Sequence, residues 1–150
     1  MNVGLGCWLA LELATHRHQA HCGSIGMLSK MSEQISWCVA LGVKPGQLDN
    51  FMKLTQEMVA STRNEPGVLS YQRFVGDDNK IVHAQERYVD SDAALMHLQN
   101  FAEKFAERFV SMVDRMRFTV YGTPTAELKE LLDGFGAVYL SPFGDFEYWP

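Results

Sequence analysis

IVHAQERYVDSDAALMHLQNFAEKFAERF, residues 81–109, changes its hydrophobic period once, and that change decides the fold. Ile81 to Val89 is dense in β-branched and aromatic residues, and an extended chain points successive side chains to opposite faces. Ile81, His83, Gln85 and Arg87 therefore share one face, and Val82, Ala84, Glu86 and Tyr88 the other. Asp90-Ser91-Asp92 reads as a sharp turn, and Asp90 or Ser91 can cap the free N–H groups of a following helix. Beyond it Leu95, Leu98, Ala102, Phe105, Phe109 and Met112 recur at steps of three and four, the spacing of one helical stripe. That helix is expected to end near Asp114. His83, Glu86, Tyr88 and His97, the polar residues with chemical potential, gather at or near this strand–helix junction.

Working outward, Ile35 to Val43 alternates large and small residues, which places Ile35, Trp37, Val39, Leu41 and Val43 on one face of a strand. Lys44-Pro45-Gly46 stops it. Leu48, Phe51, Met52, Thr55, Met58, Val59 and Thr62 form a helical stripe, closed by Asn64-Glu65-Pro66-Gly67. Val68 to Val75 reads as a strand with Leu69, Tyr71, Arg73 and Val75 on one side. Gly76-Asp77-Asp78-Asn79 then joins it to the Ile81 strand as an antiparallel hairpin. Met116 to Tyr121 alternates again, Gly122-Thr123-Pro124 ends it, and Ala126 to Leu132 reads as a short helix before an aromatic tail. The order β-α-β-β-α-β predicts an α+β, ferredoxin-like domain: one antiparallel sheet with its helices on one face. The strands bearing Trp37, Tyr71 and Phe118 carry apolar side chains on more than one face. A twofold partner is the simplest cover for the second face, so a homodimer is expected, with the tail laid over the partner or the barrel rim.

The domain is expected over residues 34–123, with residues 124–150 as short helix plus tail. Residues 1–33 read as an extension that is disordered or not native, with Met27 and Met31 as later starts. Its apolar run, Gly4 to Ala14, is broken by Glu12 and lacks a positive flank, which makes a poor secretory signal. His16, His18, His21 and Cys22 crowd together there, yet their spacing fits no standard zinc pattern, so no metal is expected. The chain is 47% hydrophobic and 21% charged, with a net charge of -5 and no basic cluster, which argues against nucleic acid as partner. No apolar run is long enough to cross a bilayer. Three cysteines without paired spacing argue against structural disulfides and make a reducing cytoplasm the default.

From about Ile35 to Tyr121 the chain resembles the antibiotic biosynthesis monooxygenase domain, a branch of the dimeric α+β barrel proteins that includes quinol monooxygenases. The resemblance rests on Val43-Lys-Pro-Gly46, on Glu65-Pro-Gly67 before Tyr71, and above all on Glu86-Arg-Tyr88 followed by Asp92-Ala-Ala94 and His97-Leu98. The tail from Glu127-Leu128 through Gly134-Phe-Gly136 to Pro142-Phe143 resembles an extension of some members. What the resemblance implies is oxidation of a quinol or aromatic polyketide-like substrate by molecular oxygen, without flavin, haem or metal. Such chemistry needs an apolar pocket, an acceptor for a phenolic proton, and donors that hold the resulting oxyanion.

His97 is the preferred base or anchor. It lies on the shoulder of the helical stripe beside Leu98, and an unperturbed histidine titrates near ~6.5. The plainer alternative is a flank histidine bonded to a carbonyl or half-exposed. Tyr88, the second catalytic candidate, is placed either to line the pocket and bond an oxyanion or simply to fill the core. Glu86, on the same face, must find a donor if buried, and an ion pair is its plain role. His83 faces away from Tyr88 and serves no common pocket with it. Trp37 and Tyr71 are candidate aromatic walls or ordinary core. Phe101 is a candidate substrate contact within the Phe101–Phe105–Phe109 packing series, and Asn100 a candidate kink beside a ligand. Haem-degrading relatives of this fold use an Asn on the first strand. ISWCVALGV has none, which counts against that activity. A non-catalytic, dimeric domain that binds a small aromatic is the remaining alternative. An enclosed His97 with a displaced pKa favours turnover, whereas a solvated His97 and a pocket filled by side chains favour binding alone.

Overall fold

The computed structural model describes residues 33–144. His16, His18, His21, Cys22 and nearly all of the expected extension lie outside the described residues, as does the chain from residue 145 onward. The elements run β1 (Ile35–Val43), α1 (Leu48–Thr62), β2 (Val68–Val75), β3 (Ile81–Tyr88), α2 (Ser91–Lys104), α3 (Ala106–Met112), β4 (Val113–Tyr121), α4 (Ala126–Asp133) and β5 (Val138–Leu140). They build one sheet in the order β2-β3-β1-β4-β5, antiparallel throughout except for the β4–β5 pair. This is the α+β, ferredoxin-like arrangement, with one strand added at an edge.

The alternation of β1 is realised as expected. Ile35, Trp37, Val39, Leu41 and Val43 are buried, and they meet Phe51, Leu54 and Met58 of α1 in the single core. On α1 the buried positions are Phe51, Leu54, Met58 and Thr62, whereas Met52, expected on the stripe, is 44% exposed. The helix therefore turns its 51–54–58–62 row inward, a step of three and then fours.

The long helix expected to run to Asp114 is two. At Phe105 the backbone leaves the helical region (φ -130, ψ -23), although Phe105 N still reaches Phe101 O and Phe109 N reaches Phe105 O at 2.9 Å. The kink changes which residues point inward: Phe101, Phe105, Ala106 and Phe109 are buried, while Leu95, Ala102 and Met112 are only half-buried. Lys44 helps end α3, because its backbone N–H binds Met112 O and its ammonium binds Ser111 O at 2.6 Å. A cation there also suits the negative end of the helix. β4 follows at once and is longer than expected.

Two further features concern the sheet, and the first is a correction. A bulge in β2 pairs Val68 with Tyr88 and Ser70 with Arg87, so Leu69 is the extra residue and stays exposed. Trp37, Tyr71 and Phe118 share one face, since Trp37 and Tyr71 both pair with Glu86 and Phe118 pairs with Val39, while their strands also carry apolar groups such as Phe74 and Tyr121 on the other. The shared face is the helix-covered one. The opposite face carries Cys38, His83, Gln85 and Thr119 at its centre. Its large exposed apolar side chains sit towards its edges, Phe74 on β2 and Tyr121, Val138 and Leu140 at β4 and β5, while Ala40 and Ile81 are half-buried on the inner strands.

Candidate functional site

The strand–helix junction is held in place by short-range chemistry. Asp90 is the N-cap of α2, its carboxylate accepting the Ala93 N–H at 2.9 Å. Capping starts the helix immediately after β3, so His97 falls on its second turn, directly above the strand residues Glu86 and Tyr88. His97 is buried, 3% exposed, and its ring packs against Tyr88 and edge-on to Tyr71.

Glu86 is the hub. Its Oε2 accepts from Trp37 Nε1 and from the Tyr88 hydroxyl, each at 2.6 Å, and its Oε1 pairs with Arg73 Nη2 at 2.7 Å. The three donors come from β1, β3 and β2, brought side by side by the sheet register that aligns Trp37 and Tyr71 with Glu86. Burial works to raise this carboxyl. The Arg73 guanidinium, His97 and the Tyr88 and Trp37 hydrogen bonds outweigh it and hold Glu86 below the ordinary carboxylate range. The same burial, with the Glu86 charge, pushes the Tyr88 phenol well above its ordinary value, so Tyr88 acts as a neutral donor. Burial also raises Tyr71, with Glu86 adding to it.

His97 is bracketed by carboxylates. Nδ1 lies 2.7 Å from Glu65 Oε2, whereas Nε2 lies 3.6 Å from Glu86 Oε2, beyond hydrogen-bond reach. Glu65 is delivered by the turn that follows α1. Arg73 binds Gln72 O through Nη1 and stacks its guanidinium 3.9 Å from the Tyr71 ring centre. Two donors of this cluster, Tyr71 Oη and Arg73 Nε, are buried without a hydrogen-bond partner.

Beside the cluster, between helices and sheet, is a cavity of about 50 Å³. Trp37, Arg73, Glu86 and His97 form its polar end, and Phe101, Phe109, Met116, Phe118 and Phe135 its apolar walls. Phe135, from the turn after α4, stacks on Phe118 with ring centres 5.9 Å apart and covers that end. The volume suits a few waters or a diatomic gas, well short of the several hundred Å³ that a drug-sized ligand fills. A larger concavity, about 670 Å³, lies on the opposite sheet face among Cys38, Gln72, His83, Gln85, Arg87 and Tyr121.

Of the residues singled out in the sequence, His97, Trp37, Glu86 and Phe101 line the cavity together. Tyr88 stands behind Glu86, fully buried, and Tyr71 stands behind His97 and Arg73. Neither lines the cavity. Asn100 is half-buried and also absent from its walls, and the kink it was expected to mark falls five residues on, at Phe105. Glu65 and Arg73 were not singled out. Arg73 was visible as the cation alternating with Tyr71, opposite the strand bearing Glu86, whereas nothing local marks Glu65 as a partner of His97. Among the described residues no three His, Cys, Asp or Glu side chains gather as a metal would require, and no helix is long and apolar enough to cross a membrane.

Residues 38–104 match the sequence model of the antibiotic biosynthesis monooxygenase family. Among solved structures the chain is similar to MupZ from Pseudomonas fluorescens, with 24% identity and a TM-score of 0.68 over 77% of this chain and 95% of that one. It is also similar to a conserved protein from Methanosarcina mazei, with 17% identity and a TM-score of 0.58 over 65% and 99%. A candidate antibiotic biosynthesis monooxygenase from Nitrosomonas europaea gives 16% identity and a TM-score of 0.57 over 61% and 91%. These likenesses are of fold. No curated protein matches the chain.

Proposed function

We propose, from the premise that this chain is a member of the antibiotic biosynthesis monooxygenase family, that it oxidises a quinol or aromatic polyketide-like substrate with molecular oxygen and without a cofactor. The family supports a monooxygenase-type role; the substrate class and the cofactor-free mode are our reading. The observation that carries it is a buried histidine opening on an apolar cavity, with one nitrogen held by a carboxylate and the other unbonded.

In this reading His97 Nε2 takes the proton of a phenolic hydroxyl. The charge left on the imidazole lies between Glu65 and Glu86, in a setting of low dielectric where such compensation is strong. The substrate anion then gives an electron to oxygen, and recombination forms a carbon–oxygen bond at the activated ring carbon. Cleavage of the O–O bond leaves one oxygen in the product as a carbonyl, and the other departs as water. A ring C–H and an O–H are lost, so the substrate supplies all four electrons and no external reductant is needed. Arg73, already aligned by Glu86, is the donor available to the developing oxyanion. Tyr88 acts by holding Glu86, and Trp37 and Phe101 act as walls.

The chain works as a homodimer joined through the open sheet face, where Phe74, Val138 and Leu140 are about half-exposed. A reducing cytoplasm suits the free thiol of Cys38. A second reading is a dimer that binds a small aromatic without turning it over; at about 50 Å³ the cavity would have to open for either occupant.

Oxygen uptake by metal-stripped protein, measured with a panel of quinols and hydroxynaphthalenes beside His97→Ala, tests the proposal. Uptake above the spontaneous rate and lost in the variant is the expected result. Uptake that persists in the variant removes His97 from the mechanism. Tight binding of a panel member without uptake establishes the second reading for that compound.

A further inference from the structure

We infer that Glu65 is a positioning residue: it fixes His97 as the tautomer protonated at Nδ1 and leaves Nε2 as the acceptor beside the cavity. The inference deepens the reading of His97 as a base, and it rests on the way the chain is built around Glu65.

α1 ends at Thr62, and Glu65 N binds Thr62 O at 3.0 Å, so the carboxylate leaves a closed turn and not a loose loop. Gly67 locks that turn. Its φ is +83, and a Cβ there would stand 2.6 Å from Ala93 Cβ and 2.9 Å from Val89 Cγ2. Its carbonyl accepts the Val89 N–H at 2.9 Å. The turn is therefore pressed against the last residues of β3 and the first turn of α2, one turn before His97. Glu65 reaches Nδ1 with its side chain only 8% exposed.

A neutral imidazole carries one proton, and the partner of one nitrogen decides where it sits. Glu65 at 2.7 Å is an acceptor, so it selects Nδ1–H. Glu86 does not compete for the other nitrogen, because Oε2 already takes two donors and stands 3.6 Å away. A buried carboxylate behind a catalytic imidazole also steadies the cation formed when the base is protonated, as in hydrolytic triads.

The test is the ring-nitrogen NMR spectrum of full-length, ¹⁵N-histidine-labelled protein, with the His97 signals assigned by their loss in His97→Gln. Two-bond ¹H–¹⁵N correlations distinguish the two neutral tautomers directly. The expected wild-type result is a neutral form with the proton on Nδ1. Glu65→Leu, which removes the acceptor within a buried site, should move that proton to Nε2, and Glu65→Asp should keep it on Nδ1. With an oxidisable substrate in hand, Glu65→Leu should lower kcat on the order of 10²-fold with KM little changed, the scale of a general-base contribution. An Nε2–H tautomer in the wild type, a ring doubly protonated throughout the folded pH range, or a Glu65→Leu spectrum still showing Nδ1–H would each overturn the assignment. Because the spectrum needs no substrate, it stands or falls separately from the oxygenase reading. Nδ1–H together with full uptake in His97→Ala would keep the positioning and discard the base.

Discussion

The two faces of β3 deal with polar side chains in opposite ways. On one, Glu86 lies 7% exposed among Trp37, Arg73 and Tyr88, with both oxygens occupied. On the other, one residue away in either direction, Gln85 and Arg87 border an open polar concavity, and His83 makes one long contact, 3.7 Å, to the Cys38 thiol. Both faces carry groups able to ionise, Glu86 on one and His83 and Arg87 on the other, so charge alone does not separate them. Burial does. A carboxylate removed from water persists only where donors and a cation replace its lost hydration, whereas an exposed group is satisfied by solvent at almost no cost. A comparison of two ion pairs says the same. Arg73–Glu86 and Arg108–Glu57 have equal lengths, 2.7 Å, yet the second is about half-exposed at both ends and contributes little.

The largest effect should come from breaking the buried side. Glu86→Ala strands the Arg73 guanidinium and two further donors, and urea denaturation should show a loss of about 3–5 kcal/mol. The pH dependence has a definite sign. Glu86 is held below the ordinary carboxylate value when folded, so the unfolded chain binds its proton first. Its stabilisation is complete above the unfolded value, near ~4.3, and is lost as pH falls through the lower folded one. Glu86→Gln should flatten that part of the stability profile, and an unchanged slope below pH ~4 would mean that other carboxylates govern acid unfolding.

A smaller effect is expected at the cover of the cavity. Phe135 is half-buried and stacked on Phe118. Phe135→Ala should cost about 2 kcal/mol, less than the loss for a fully buried phenylalanine. It should also strengthen the binding of a hydroxynaphthalene relative to a single-ring quinol, read by titration of both. Equal change for both compounds would show that Phe135 does not limit the size of what enters.

The smallest effect sharpens the comparison from its other side. In the dissociated single chain His83→Ala should change stability by less than about 0.5 kcal/mol, as exposed substitutions usually do. In the homodimer proposed above, where His83 lies on the joined face, thermal denaturation should show a further loss that depends on protein concentration, and its absence would leave that face open to solvent.

Much of the architecture is legible in the sequence. The alternation in β1 and β3, the period change at Asp90, the Pro66-Gly67 stop and the Gly76–Asn79 hairpin each follow from local sterics and patterning, and each is found. The Phe105 kink, the Leu69 bulge and β5 were not legible, because each depends on packing against a distant partner. β5, for instance, is three residues beside β4, secured at its end by Gly122 N to Leu140 O. His97 and Glu86 stood out as polar residues beside apolar ones, while the kink was expected at Asn100 and not at Phe105. By itself, then, the sequence determined the order of elements and the inward face of β1 and β3, since side-chain period alone controls these, while the burial of Glu86 and His97 came from the packing of α2 on the sheet. Only the tertiary structure decided which donors Glu86 finds, that Glu65 reaches His97 from 32 positions earlier in the chain, and that Trp37, Tyr71 and Phe118 share one face. Strand register and the approach of separate turns set those contacts, and neither is written in any local stretch of residues.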